Sequence, residues 1–82
     1  MSRVPRLKKL VPELRPGDYV KYTATGMCAV VLAGKGYLPD HVRVQYPHFE
    51  GVQHCRAGNL ERISEREYMV FAAHVALTGR AP

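Results

Sequence analysis

Between Arg15 and Val31 the chain reads as a turn, an alternating strand, a glycine turn and a second, apolar strand, and no other segment restricts the fold as strongly. Pro16 and Gly17 set a tight entry, Asp18 is placed to cap it, and Gly26 provides the reversal. Between the turns Val20 and Tyr22 alternate with Tyr19, Lys21 and Thr23, so Val20 points to a core while Lys21 and its flanking residues face water or a partner. Met27 to Ala33 is nearly continuous in apolar residues, the signature of a strand buried on both sides or bent, and Gly34-Lys35-Gly36 closes it.

The pattern continues with a strand over His41–Tyr46, stopped by Pro47, and a fourth over Val52–Arg56. Gly58-Asn59 makes a turn into a short closing strand, Leu60–Ile63. Five short strands with these breaks predict a mainly β fold, a five-stranded SH3-like or Tudor-like barrel. Ser64-Glu65-Arg66-Glu67 then forms a capping box that opens a C-terminal α-helix over 64–78, ended by Gly79. The organisation is an arm over 1–16, the barrel over 17–63, the helix, and a tail over 79–82.

A chain of 82 residues holds one domain and buries only about 60% of the surface its unfolded form exposes. Support from the helix or from self-association is therefore expected. Past its first turn the helix is apolar on nearly every face, so Tyr68, Met69, Phe71 and Val75 are candidates for a partner or homo-oligomer interface.

Charge is concentrated ahead of the barrel. The formal net charge is +5, and Arg3, Arg6, Lys8, Lys9 and Arg15 stand in the first sixteen residues against Glu13 alone. Pro5, Pro12 and Pro16 keep this arm from forming a long helix. Arg3, Arg6, Lys8 and Lys9 are candidate contacts to nucleic-acid phosphates, with Lys21, Lys35, Arg43 and Arg56 on the strands. Tyr19, Tyr37 and Phe49 are candidate aromatic contacts interleaved with them, whereas Tyr22 and Tyr46 are assigned to the core.

Enzymatic and metal readings find little support. The spacing of Cys28, His48, His54 and Cys55 matches no zinc pattern, and His54 and Cys55, as strand neighbours, point to opposite faces. No acid is placed to orient a histidine beside a thiol. No cofactor, no metal and no catalytic residue is expected. The basic, Pro-punctuated start has no apolar core of a leader peptide, the two cysteines lack CxxC spacing, and no apolar run approaches the ~20 residues a bilayer requires; a cytoplasmic protein is expected.

Gly17-Asp18-Tyr19-Val20-Lys21-Tyr22 with Gly26, Val30, Tyr46 and Leu60-Glu61-Arg62-Ile63 resembles the RNA-polymerase-interacting, Tudor-like domain shared by CarD-type regulators and transcription-repair coupling factors. The resemblance covers about residues 15–66 and implies a docking barrel acting on RNA polymerase. Thr23, Cys28 and Arg56 stand where that family tends to have Pro, Gly and Pro. Val52-Gln53 through Leu60-Glu61-Arg62-Ile63 is similar in spacing to the end of the plasmid type II dihydrofolate reductases, oligomeric barrels with a shared pore. There Gln53 alone matches the pore chemistry, since His54, Cys55 and Tyr22 replace the family's Ile, Tyr and Lys. The expectation is a non-catalytic binding module, an accessory factor in transcription or nucleic-acid metabolism that contacts DNA or RNA phosphates or RNA polymerase. The alternatives are a small phage- or plasmid-type inhibitor or adaptor that docks on a host protein through its helix or a sheet edge, and the reductase-like oligomer.

Overall fold

Gly26 sits with φ at 79°, a left-handed conformation that closes the first hairpin, and its N–H donates to the Tyr22 carbonyl at 2.7 Å. The hairpin joins β1 (Tyr19–Tyr22) to β2 (Met27–Lys35), with Val20 opposite Ala29 and Tyr22 opposite Met27. The computed structural model describes residues 13–48 and 50–82, so Arg3, Arg6, Lys8, Lys9 and Phe49 lie outside the described residues.

β3 (His41–Gln45), β4 (Gln53–Arg56), a single 3₁₀ turn (Ala57–Asn59), β5 (Leu60–Arg62) and helix α1 (Glu65–Thr78) follow. The strands form one antiparallel sheet in the order β4-β3-β2-β1-β5. The fold is mainly β with one C-terminal helix, as the alternation and the capping signal lead one to expect. No ladder joins β4 to β5 among the described residues, so the sheet is described as five antiparallel strands rather than as a closed barrel.

One face of the sheet holds the main core. Val20, Ala29, Val31, Val44, Tyr46 and Leu60 are buried there, with Leu14, Tyr22, Met27, Val42 and Cys55 packed around them. Val20 and Val44 are fully enclosed, and burial of each valine side chain contributes about 1.5–3 kcal/mol. Tyr22 and Tyr46 do complete the core.

The other face of β1 and β2 is covered by α1. Phe71 and Val75 bury against Cys28, with Ile63, Tyr68 and Ala81 at the margin. Tyr19 and Lys21, expected on a face open to water, are half-covered instead, because the helix folds back over them. β2 is thus buried from both sides where Cys28 and Ala29 lie. It also runs two residues further than the Gly34-Lys35-Gly36 stop implies, passing through an irregularity between Val31 and Lys35.

The capping box forms in half. Ser64 Oγ accepts from the Glu67 N–H at 3.1 Å, a cap worth about 1 kcal/mol. The Glu67 carboxylate does not return to the Ser64 amide; it reaches across to Lys21. Gly79, left-handed at φ 79°, ends the helix by donating its N–H to Val75. Asp18 caps the entry turn as anticipated, its Oδ2 accepting from the Arg15 N–H at 2.9 Å and lying 3.3 Å from Arg62 Nη2. Among the described residues no helix is long and apolar enough to cross a membrane.

Candidate nucleic-acid interface

The end of β2 and the turn into β3 carry Gly34-Lys35-Gly36-Tyr37. Gly36 is required sterically, and Gly34 by its left-handed φ of 95°. A Cβ on Gly36 would lie 2.5 Å from the His41 carbonyl oxygen, and one on Gly34 would lie 2.7 Å from Arg43 Nη1. The first lets the turn close onto β3, and the second makes room for the Arg43 guanidinium, which lies over the backbone and donates to the Ala33 carbonyl at 2.7 Å.

The β3–β4 register then gathers the basic side chains. His41 pairs with Arg56 and Arg43 with His54, so these four residues share one face while Val42, Val44 and Cys55 share the core side. Tyr37 closes over this group. Its ring meets the His41 and His54 rings edge-on at centroid separations of 5.5 and 5.4 Å, and its N–H donates to His54 Nδ1 at 3.2 Å. That bond requires an unprotonated Nδ1 on His54. The Tyr37 side remains 71% exposed, the most exposed aromatic among the described residues whose exposure is high. Lys35 stands beside it, exposed and opposite Val42 in register.

Asp40 supplies the local countercharge. Its Oδ1 lies 2.8 Å from His41 Nδ1 and its Oδ2 3.2 Å from Arg56 Nε, while the Arg56 side chain stays well exposed. The hydrogen bond with His41 is the largest influence holding the Asp40 carboxyl below its ordinary value, reinforced by backbone bonding and by Arg56 and opposed by partial desolvation.

Tyr37, Arg43 and Arg56, singled out in the sequence, are therefore brought together, while Lys35 neighbours Tyr37 in the turn but pairs with Val42, away from the Arg43 face. Lys21 and Tyr19 are not part of this group. Lys21 Nζ lies 3.1 Å from Glu67 Oε2, and the Tyr19 ring stacks at 4.6 Å on Tyr68; both are on the helix side of β1. Burial and the neighbouring Tyr19 and Cys28 raise the Tyr68 phenol above its ordinary value. Of the interface candidates on α1, Phe71 and Val75 are spent on the chain's own sheet, Tyr68 is half-buried against Tyr19, and Met69 is exposed. Their placement follows from the helix docking across β1 and β2, which uses the 68-71-75 stripe.

Sequence reasoning missed His41, His54 and Asp40. The signal for the histidines was present in the alternation of His41-Arg43 and His54-Arg56, which becomes a cluster once the β3–β4 register is known. The residues weighed for metal binding are dispersed: Cys28 lies under the helix, His48 meets Phe71 at 5.7 Å, His54 faces Tyr37, and Cys55 sits 3.7 Å from the Tyr46 hydroxyl. Among the described residues no three His, Cys, Asp or Glu side chains are grouped to hold a metal ion. Burial and the Cys55 contact push the Tyr46 phenol well above the tyrosine range.

A groove of about 610 Å³ lies elsewhere, over β2 and the end of β3, and is lined in part by Val30, Leu32, Gln45, His48 and Tyr68. Gln45 connects it to the basic group, since it follows Arg43 by two residues on the same strand face. Compared with known proteins, the chain matches no family model, no curated protein and no solved structure.

Proposed function

We propose that the protein is a non-catalytic binding module for single-stranded nucleic acid, with Tyr37 as the stacking platform and Lys35, Arg43 and Arg56 as phosphate contacts. The observation that carries this reading is the Tyr37 ring, open to solvent beside Arg43, held by the Ala33 carbonyl, and Arg56, held by Asp40. A base stacked on an exposed aromatic contributes about 1–3 kcal/mol, and each phosphate neutralised on a single strand steepens the salt dependence by about 0.7. A strand that starts on Tyr37 passes Arg43 and reaches the groove beside Gln45. The arm with Arg3, Arg6, Lys8 and Lys9 adds sequence-independent attraction.

The strand order and the 3₁₀ turn before the last strand support reading the sheet as a small SH3-like barrel, a fold common among nucleic-acid and polymerase docking modules. With the resemblance of residues 15–66 to the RNA-polymerase-interacting domain, the setting proposed is an accessory role in transcription or nucleic-acid metabolism. Titration of labelled single-stranded DNA and RNA, followed by anisotropy over a salt series, tests the reading. Binding that weakens linearly in logarithmic salt supports it; failure to retain either strand at low salt overturns it.

A further inference from the structure

Behind the Tyr37 group, on the core side of β4, lies a second groove of about 510 Å³. That volume is within the range of pockets that enclose small organic ligands, roughly 300–1,000 Å³. Tyr22, Met27 and Tyr46, which also border the main core, give the groove an aromatic and apolar floor. Gln53 and Asn59 line it too, and neither side-chain amide has a hydrogen-bond partner among the described residues.

One wall is a strand edge. β4 ends the sheet, and among the described residues no strand pairs with its outer side. The Ala57 N–H donates to the Asp40 carbonyl at 2.9 Å, one place beyond the His41–Arg56 pair. Ladder bonds alternate along an antiparallel pair, so Val42–Cys55 and Val44–Gln53 exchange them, while His54 and Arg56 turn their N–H and C=O groups to the free edge. All four residues of β4 line the groove. The rim is cationic, with Arg56 beside His41 and His54, and no carboxylate among the described residues lines it. Asp40 engages Arg56 through Nε, which leaves the outer guanidinium nitrogens to an anion.

We propose that this groove receives one unpaired nucleobase, with the attached phosphate on Arg56, a proposal that rests on the nucleic-acid reading. The aromatic floor suits the face of a planar ring. Two free amides and the strand edge supply donors and acceptors to the rim of that ring. The charge match is to an anion. A peptide strand laid on the same edge would find the backbone groups of only His54 and Arg56 to pair with. The His54 ring belongs to both places, since it meets Tyr37 edge-on at 5.4 Å and lines the groove. Successive nucleotides of one strand can therefore occupy Tyr37 and the groove.

NMR of the nitrogen-15-labelled full chain, titrated with the four nucleoside monophosphates and with ribose phosphate, tests the site. Nucleotides at millimolar concentration should shift the side-chain amide signals of Gln53 and Asn59, and ribose phosphate should leave them still. Gln53→Met keeps the side-chain volume without the amide, and it should weaken nucleotide binding roughly three- to tenfold. Asn59→Ala, at an exposed position, should do the same. Equal shifts with ribose phosphate, or parent-like nucleotide binding by both variants, overturn the proposal. If the groove signals stay still while Tyr37→Ala weakens oligonucleotide binding, the groove is overturned and the Tyr37 reading stands. Groove shifts that Gln53→Met abolishes, in a chain that retains no oligonucleotide at low salt, uphold the groove and overturn that reading.

Discussion

Lys21 on β1 and Glu67 on α1 form an ion pair of 3.1 Å that joins the sheet to the first turn of the helix. The pair takes Lys21 out of the set of cations open to a phosphate. It also raises the Lys21 ammonium above its ordinary value, first through the hydrogen bond with Glu67 and then through its charge. A raised lysine adds stability that is fully present below its ordinary value and is lost as pH climbs through the folded one. Lys21→Gln is accordingly expected to lower the melting temperature slightly at neutral pH, with the difference from the parent vanishing only in strong alkali. It should leave oligonucleotide affinity nearly unchanged, which anisotropy checks directly.

Gly36 is expected to be the least replaceable residue of the Tyr37 turn. A methyl group there meets the His41 backbone, which cannot swing away as a flexible side chain does. Gly36→Ala should cost about 1–3 kcal/mol in urea unfolding and displace Tyr37 from His54, seen as a loss of the ring-current shifts of the two imidazoles by NMR.

Asp40 is expected to restrain binding. Its carboxylate stands between His41 and Arg56, and Asp40→Asn removes a negative charge where phosphates would pass. Tighter binding and a steeper salt slope should follow. The depressed Asp40 carboxyl also carries a sign: its contribution to stability is present above the ordinary value of 3.8 and is lost as pH falls through the lower folded one. Thermal melts of the parent chain from pH 6 to pH 3 should show a fall that the Asn variant lacks in part.

The two thiols should differ in reactivity. Burial, and secondarily Glu67, push the Cys28 thiol up, against a smaller opposing effect of Lys21, and the helix covers it. Alkylation at pH 8 followed by mass spectrometry should label Cys55 first and reach Cys28 only when α1 undocks.

Much of the fold could be read from the chain because its signals are local. Val20 and Tyr22 alternate, Gly26 supplies a reversal, Ser64 caps and Gly79 terminates, and each of these acts within a few residues. The docking of α1 was not legible, because past its first turn apolar residues occupy nearly every face of the helix and carry no information about which stripe faces inward. Only the sheet shows that Phe71 and Val75 face Cys28 while Val70 and Leu77 face out. The interface was half-legible for the same reason. Tyr37, Arg43 and Arg56 announced themselves by type, but the β3–β4 register that sets Arg43 and Arg56 beside His41 and His54, under the Tyr37 ring, is a long-range property. Lys21 and Tyr19 have the same chemistry and were diverted by a helix more than forty residues away.

Affinity of Tyr37 variants for a labelled single-stranded oligonucleotide tests the central claim most directly. With Tyr37 as the stacking platform, Tyr37→Phe retains binding and Tyr37→Ala weakens it by roughly ten- to a hundredfold without changing the salt slope, because stacking is lost and phosphate contacts remain. Equal affinity of the parent and Tyr37→Ala proteins would contradict it.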